Sequence, residues 1–362
     1  MNRRAFLSTS MGLSAAVAGL GRTRPAFGQQ GSADATKWRA FEVTTRVEIV
    51  NANGAARAWV PLPLSPDTDY FKSLGHGSSG NAKATRIVRD ERYGAGIFVA
   101  EWEPGEAAPV VEVINRFATR DRAVDFKPVD AREDRRVLAR YTEPTRLMPV
   151  DGIVQKTARE ITRGQKTDLD KARAIYEWVV DNTFRDPKVR GCGVGDIRAM
   201  LETGNLSGKC ADLNALYVGL ARAVGIPARD VYGVRVADSA EFKSLGKSGD
   251  ITRAQHCRAE FYLSGAGWVP VDPADVRKVV LEERGGLPLT DPAVQRARAK
   301  LFGQWEMNWL AYNYAHDVKL PGSTGEPLAF FMYPQAEVSG ARRDSLDPDA
   351  FRYKMTAKEL SA

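Results

Sequence analysis

Cysteine and histidine are scarce in this sequence of 362 residues, which contains three of each. It has no Cys-x-x-Cys pair and no cysteine and histidine cluster at the spacing of a zinc site. We therefore expect neither a metal nor another cofactor. In a secreted protein, an odd number of cysteines indicates a free reactive thiol or an intermolecular disulfide.

Long apolar runs are also missing. The apolar stretch at residues 8–20 is interrupted by Ser and Gly and is shorter than the roughly 18 residues that a transmembrane helix needs. It follows Arg3-Arg4 and precedes small residues at a cleavage position, as in a twin-arginine export signal. We predict a signal peptide at residues 1–30, no membrane span in the mature chain, and a periplasmic or extracellular location.

Charge of one sign does not dominate the mature chain. The formal net charge is +7, but residues 1–30 contain four arginines and no acid, which leaves 7 − 4 = +3. This small excess does not indicate a nucleic-acid partner. A nucleotide-binding P-loop is excluded because the similar segment 204–209 has three residues between its glycines, and Cys210 replaces the Ser or Thr that would bind magnesium.

The segment 205–236 is centred on a cysteine, Cys210. Apolar residues at helical spacing predict a helix from about 208 to 224 that ends at Gly225 and Pro227, followed by a strand. Cys210 would then lie in the first turn, where unpaired backbone N–H groups and the helix dipole favour the thiolate over the thiol. A buried packing cysteine is the alternative interpretation.

A base and a carboxylate follow the cysteine in the sequence. Residues 255–263 alternate with a period of two, which places His256 on one face of a strand, and a second short strand ends at Asp272. For Asp272 to reach the face of His256, the turn between the strands must have three or five residues, or contain a bulge. A thiol, an imidazole and a carboxylate supply a nucleophile, its base and the group that orients the base.

These segments resemble the transglutaminase-like superfamily of papain-like folds, in which a cysteine that opens a helix is followed by His and Asp on adjacent strands. The likeness lies in residues 208–210, 220–229, His256 with Glu260, and 267–273. It implies an α+β fold with a papain-like core and a catalytic triad of Cys210, His256 and Asp272. One departure is Arg258, at a position where the family often has an aromatic residue.

Two domains are predicted in the mature chain. Alternating apolar residues between Gly- and Pro-containing turns predict an antiparallel β-sandwich at residues 36–125. A charged, proline-punctuated segment at 126–149 is typical of a linker, and the transglutaminase-like catalytic domain is expected at 150–340. Residues 341–362 are expected to form a C-terminal tail.

Some residues near the triad have more than one possible role. Asn205 is a candidate donor to the oxyanion, together with the backbone N–H of Cys210, although Asn is also a common turn residue. Strand alternation turns Cys257 away from the face of His256. Cys257 could then form a disulfide with Cys192, or the two could be separate thiols.

The two remaining histidines lack a pattern of catalytic partners. His76 lies in a Gly- and Ser-rich segment that predicts a flexible, exposed loop. His316 follows an aromatic segment and could line a substrate groove, but a packed or surface position is the stronger expectation. His256 is therefore the predicted base.

Three functions fit these residues. A cysteine hydrolase would form a thioester on Cys210 and lose the acyl group to water, whereas a protein-glutamine gamma-glutamyltransferase would pass it to an amine and cross-link proteins. The third is a catalytically silent binding module, against which the intact triad argues. Water is abundant outside the cytoplasm and no lysine-binding segment is recognisable. Hydrolysis of a protein or peptide, with the cell envelope as a candidate source, is the expected activity.

Overall fold

The computed structural model describes residues 37–65, 67–106, 108–126 and 132–361. The predicted signal peptide lies outside these residues. The helices are α1 (Arg135–Arg140), α2 (Gly152–Ile161), α3 (Asp168–Asn182), α4 (Ile197–Thr203), α5 (Cys210–Ala223), α6 (Pro273–Glu282) and α7 (Pro292–Lys300). The strands are β1 (Arg39–Ile49), β2 (Ala56–Pro61), β3 (Phe71–Gly80), β4 (Ala84–Arg89), β5 (Gly96–Trp102), β6 (Val110–Thr119), β7 (Arg122–Ala123), β8 (Phe184–Arg185), β9 (Ser207–Gly208), β10 (Ala228–Arg235), β11 (Gly249–Asp250), β12 (Gln255–Leu263), β13 (Gly267–Val271), β14 (Gln304–Trp305), β15 (Trp309–Asn313), β16 (His316–Val318), β17 (Leu328–Phe330), β18 (Gln335–Val338), β19 (Ala341–Arg342) and β20 (Phe351–Leu360).

Two five-stranded antiparallel sheets form a β-sandwich. One sheet has the order β11-β20-β1-β6-β3, and the other has the order β19-β18-β2-β5-β4. Residues of β1 alternate between buried and partly exposed, as expected for a strand with one face in a core. Buried side chains from both sheets, among them Val47, Phe98, Val113 and Phe351, share one apolar cluster. The predicted antiparallel sandwich in the N-terminal region is confirmed.

Residues 341–362 do not form the predicted tail, because β19 and β20 lie within them. Strand β20 pairs with β1 from Phe351 opposite Ile49 to Leu360 opposite Ala40. Apolar residues alternate with polar ones along this strand, and they bury one of its faces in the sandwich. This period-two pattern was present in the sequence.

The predicted linker at residues 126–149 also contains regular structure. Helix α1 begins after Asp134, whose side chain accepts a hydrogen bond from the backbone N–H of Arg136 at 2.7 Å. Tyr141, which follows the helix, is buried. The described residues belong to one compact unit. The predicted division into two domains therefore stays a prediction.

A four-stranded antiparallel sheet with the order β13-β12-β10-β15 carries the predicted site residues. Helix α5 packs on this sheet, and its buried residues share an apolar core with α3, β12 and α6, among them Ile175, Leu216, Phe261 and Val276. The helix and the strands agree closely with the bounds expected from the sequence. Among the described helices, none has both the length and the apolar character required to cross a lipid bilayer.

Candidate active site

Cys210 is the first residue of α5 and is only 3% exposed. Asp212, in the first turn, accepts hydrogen bonds from the backbone N–H groups of Lys209, Val194 and Gly195, each at 2.9 Å. These bonds fix the preceding loop against the start of the helix. Because the first N–H groups of a helix have no acceptor within it, the N–H of Cys210 is suited to bind a developing negative charge.

Glycine is required in the loop and in the residues just before the helix. Gly193 has a φ of +97°, and a Cβ atom there would come within 1.8 Å of Asp212 Oδ2. At Gly208, a Cβ atom would come within 2.5 Å of the Asp212 Cβ. A side chain at either position would displace the carboxylate that holds the start of the helix.

The β12–β13 hairpin brings His256 and Asp272 together. Leu263 pairs with Gly267, so the turn has three residues and the predicted odd length is confirmed. His256 Nε2 lies 2.7 Å from Asp272 Oδ2. Since Nε2 faces the carboxylate, Nδ1 is the ring nitrogen left to serve Cys210.

Asn214 connects the helix of Cys210 with the strand of His256. Its Nδ2 donates to the carbonyl oxygen of Cys257 at 2.8 Å and to Asp272 Oδ1 at 3.2 Å. Asn214 was not among the residues predicted from the sequence. Asn214 lies four residues after Cys210, and this spacing, which places both residues on the same face of the helix, was the sequence pattern that could have indicated it.

A second carboxylate, that of Asp275, lies beside the same ring nitrogen. Its Oδ2 is 3.3 Å from His256 Nε2, and its Oδ1 accepts a hydrogen bond from Arg235 Nη2 at 2.6 Å. Asp275 was not among the residues predicted from the sequence, because α6 was not predicted. The sequence pattern that could have indicated this helix is Asp272-Pro273, because an N-cap residue followed by proline at the first helical position is typical of a helix start.

Arg258 belongs to the same buried network. Its Nε lies 3.7 Å from Asp272 Oδ2. Its guanidinium lies over the rings of Trp305 and Trp309, 5.3 and 4.8 Å from their centroids. Arg258 therefore stacks on aromatic rings and places a positive charge beside Asp272.

His256, Asp272 and Asp275 each offer one ligand atom within 4.8 Å of the others, so their geometry alone could hold a metal ion. Two guanidinium groups, those of Arg235 and Arg258, lie against these carboxylates. Their positive charge opposes the binding of a cation. The charge distribution therefore favours activation of a thiol over coordination of a metal.

The three cysteines are free thiols, and two of them adjoin the third. Hydrogen bonding by the thiols of Cys192 and Cys257, and then by His256, lowers the pKa of Cys210 well below its usual value, although burial opposes this. The possible Cys192–Cys257 disulfide is not formed. Cys257 adjoins the nucleophile even though strand alternation separates it from His256, because α5 packs on β12 and Cys257 shares an apolar cluster with Cys210 and Leu213.

The imidazole of His256 lies among buried charges of both signs. Burial and the charge of Arg235 lower its pKa, but the negative charges of Asp275 and Asp272 outweigh them and raise it to about 10. Burial and the charge of Asp275 raise the pKa of Asp272. Although burial also raises the pKa of Asp275, Arg235 and His256 hold it well below its usual value. The site therefore favours a thiolate beside an imidazolium.

Three other residues considered in the sequence lie outside the triad. Asn205 is exposed, and its Oδ1 accepts hydrogen bonds from Ser207 N and Oγ at 3.2 and 2.6 Å. The amide stabilises a local turn, and this geometry gives no support to an oxyanion role. His76 is exposed as predicted, but it lies in β3 rather than in a loop. His316 is buried, with Nε2 3.3 Å from Asp230 Oδ2, and it also lines a groove beside the start of α5, so both its packed position and its place at the groove were anticipated.

We expect iodoacetamide to alkylate Cys210 at pH 6 faster than it alkylates a free peptide thiol. An ordinary thiol, with a pKa of about 8.5, is under roughly 1% ionised at that pH, whereas the lowered pKa of Cys210 keeps it ionised. Brief labelling from pH 5 to pH 9, followed by peptide mapping, should give a nearly flat rate for Cys210 above pH 6. A rate that rises about tenfold per pH unit between pH 6 and pH 8 would contradict this expectation.

The chain has both sequence and structural relatives. The family profile described as the transglutaminase-like superfamily core matches residues 155–273. An uncharacterised protein of Haemophilus influenzae is 36% identical over 342 residues, which cover 88% of this chain and 91% of that protein. The crystal structure of a candidate cysteine protease from Cytophaga hutchinsonii superposes on this chain with a TM-score of 0.56, which shows a shared fold. The two sequences are 14% identical, and the match covers 90% of this chain and 92% of the Cytophaga hutchinsonii chain. The chain belongs to the transglutaminase-like superfamily.

Proposed function

We propose that the protein is a cysteine hydrolase that cleaves a peptide or amide bond through a thioester on Cys210. The observation that carries the proposal is the 2.7 Å contact between His256 Nε2 and Asp272 Oδ2 beside a thiol at the start of a helix. This arrangement supplies an activated nucleophile and a proton donor for the leaving group.

The proposed reaction has two halves. The Cys210 thiolate attacks the substrate carbonyl carbon, and the negative charge that develops on the oxygen is stabilised by the backbone N–H of Cys210. The His256 imidazolium then gives its proton to the leaving amine as the carbon–nitrogen bond breaks, which leaves a thioester. In the second half, neutral His256 takes a proton from water, the hydroxide oxygen bonds to the carbonyl carbon, and the carbon–sulfur bond breaks to release a carboxylic acid.

A shallow groove lies beside the start of α5. Its walls include Met148, Val194, Ala211 and Phe330. Ala211 directly follows the nucleophile, and Val194 is 62% exposed at the rim. Because apolar side chains of the wall lie next to the residue that follows Cys210, a substrate with an apolar group beside the cleaved bond is favoured.

The proposed location is the periplasm or the extracellular space. The twin-arginine pattern at Arg3-Arg4 and the apolar stretch after it support export. A protein or peptide of the cell envelope is the substrate class that this location would supply.

The activity can be tested by supplying both acceptors at once. The purified mature protein would be incubated with peptides from periplasmic and cell-wall extracts in ¹⁸O-labelled water that also contains a labelled primary amine. We expect new peptide ends that carry one ¹⁸O atom, detected by mass spectrometry, and no such products with Cys210→Ala.

Two results would contradict the proposal. Incorporation of the amine into glutamine side chains without ¹⁸O-labelled ends would indicate a protein-glutamine gamma-glutamyltransferase. If a broad set of extracts gave neither product while Cys210 was alkylated rapidly, the thiol would be activated for a reaction other than hydrolysis of these peptides.

A further inference from the structure

The ring of His256 faces two carboxylates rather than one. Asp272 Oδ2 lies 2.7 Å from Nε2, and Asp275 Oδ2 lies 3.3 Å from the same nitrogen. Both acids are buried. A triad requires a single carboxylate, so the presence of the second one needs a separate explanation.

Asp275 is held firmly where it can act on this ring. Its backbone N–H donates to Asp272 Oδ1 at 3.0 Å, and its Oδ1 accepts from Arg235 Nη2 at 2.6 Å. Arg235 is itself fixed through Nη1, which donates to the carbonyl oxygen of Leu245 at 2.5 Å. The carboxylate therefore has little freedom to turn away from His256.

The remaining oxygen of Asp275 argues against a purely structural ion pair with Arg235. Oδ2 is buried and has no hydrogen bond from the described residues other than its 3.3 Å approach to His256. A buried carboxylate oxygen without a donor is costly unless a positive charge faces it. An imidazolium at His256 meets that requirement, whereas a pair with Arg235 alone would leave the oxygen unsatisfied.

We propose that Asp275 is a positioning residue that shares the Nε2 proton of His256 with Asp272 and can hold the imidazolium charged when Asp272 is absent. This inference deepens the proposed function and rests on it for its catalytic meaning. The two acids would act as alternatives, so the loss of one leaves a charged acceptor for the same proton. Only the loss of both would leave the imidazolium without a counter-ion.

The charges that face His256 come from several elements. Cys210 approaches from α5, Arg235 from β10, Arg258 from the strand of His256 itself, and the two acids from the start of α6 and the residue before it. The arginines oppose a charged imidazole and the acids favour it. Removing either acid therefore shifts the balance toward neutral His256.

The test measures the proton on His256 directly and needs no substrate. The chain contains only three histidines, so ¹⁵N-labelled histidine gives a simple NMR spectrum in which each ring can be assigned with a variant. In the wild type, His256 should titrate well above the ordinary value near 6.5. Asp275→Asn and Asp272→Asn should each lower its pKa by about 1–3 units, the usual effect of one nearby charge.

The two substitutions together should have a larger effect than the sum of the single ones. Each single variant should retain rapid alkylation of Cys210 at pH 6 to within about threefold of the wild type, and the double variant should lose at least about a hundredfold. Asp349→Asn, which removes an exposed carboxylate, is the matched control and should change neither measurement.

Three outcomes would overturn the inference. The first is a wild-type His256 that titrates near 6.5, a measurement that does not depend on whether any variant folds. The second is an Asp275→Asn variant that is less stable to heat but titrates as the wild type does. The third is a double variant no slower in alkylation than Asp272→Asn. A hydrolysis experiment that fails while these titrations succeed would refute the proposed reaction but not the role of Asp275.

Discussion

Replacing Cys210 with alanine should lower kcat/KM for hydrolysis by about 10⁵-fold or more, because the covalent route is then lost as a whole. The groove, the helix start and the His256–Asp272 contact do not depend on the sulfur atom. The variant should therefore fold, with a circular dichroism spectrum and a thermal midpoint close to those of the wild type. Turnover would be measured with the peptide released in largest amount by the wild type.

A matched pair of histidine variants distinguishes a specific loss of catalysis from a nonspecific effect of removing a histidine. His256→Ala should lose nearly as much activity as Cys210→Ala, since the two groups act as a unit. His76→Ala removes an exposed imidazole in the sandwich and should retain wild-type turnover. Cys210→Ala with more than about a tenth of wild-type activity would show that the thiol is not the nucleophile.

Replacing Glu260 with alanine should lower the free energy of unfolding by about 3–5 kcal/mol, the usual cost of removing one partner of a buried ion pair. Glu260 is fully buried on β12 between two arginines. Arg229 Nε donates to its Oε2 at 2.6 Å, and Arg122 Nη1 contacts its Oε1. The substitution would leave two buried guanidinium groups without their shared carboxylate. Urea unfolding followed by circular dichroism measures the change.

The surface pair of Arg39 and Glu359 provides the control for Glu260. Its atoms are also close, at 2.8 Å, but the Glu359 side chain is 48% exposed. Glu359→Ala should therefore lower stability by no more than about 1 kcal/mol. A loss of under about 1 kcal/mol for Glu260→Ala as well would mean that solvent reaches the two arginines.

The pH dependence of stability provides a second check on Glu260. Burial alone would raise its pKa, but Arg229 and Arg122 hold it below the ordinary value of 4.5. A carboxylate with a lowered pKa in the folded state stabilises the protein above its unfolded pKa. That contribution is lost as the pH falls through the folded value. Glu260→Ala should therefore differ most from the wild type near neutral pH and least in acid.

The sequence allowed the hairpin geometry to be predicted because strands obey a parity rule. His256 and Asp272 can share a face only across a turn of odd length, and that constraint needs no tertiary information. The helix after Cys210 was equally accessible, since apolar spacing and Gly225 mark its extent. These features are local, so a single sequence is enough to define them.

The rest of the site depends on contacts between distant segments. Strand alternation predicted that the side chains of Cys257 and His256 point to opposite faces of β12. Whether Cys257 contacts Cys210 depends on how closely α5 packs on the sheet, which alternation does not determine. Asp275 could be placed only once α6 was known, and its pairing with Arg235 joins residues from different elements. Asn205 fitted the spacing of an amide donor, but it satisfies its own turn instead.

The pairing of β20 with β1 also determines when the protein can finish folding. Strand β1 begins at Arg39 and β20 ends at Leu360, so residues near opposite ends of the chain become neighbours in one sheet. The ribosome releases β20 long after β1, and until then that edge of β1 exposes unpaired backbone groups that can associate with other chains. The sandwich is therefore completed only after β20 has left the ribosome, and a chain truncated before residue 351 would have an open sheet edge however well its catalytic core had formed.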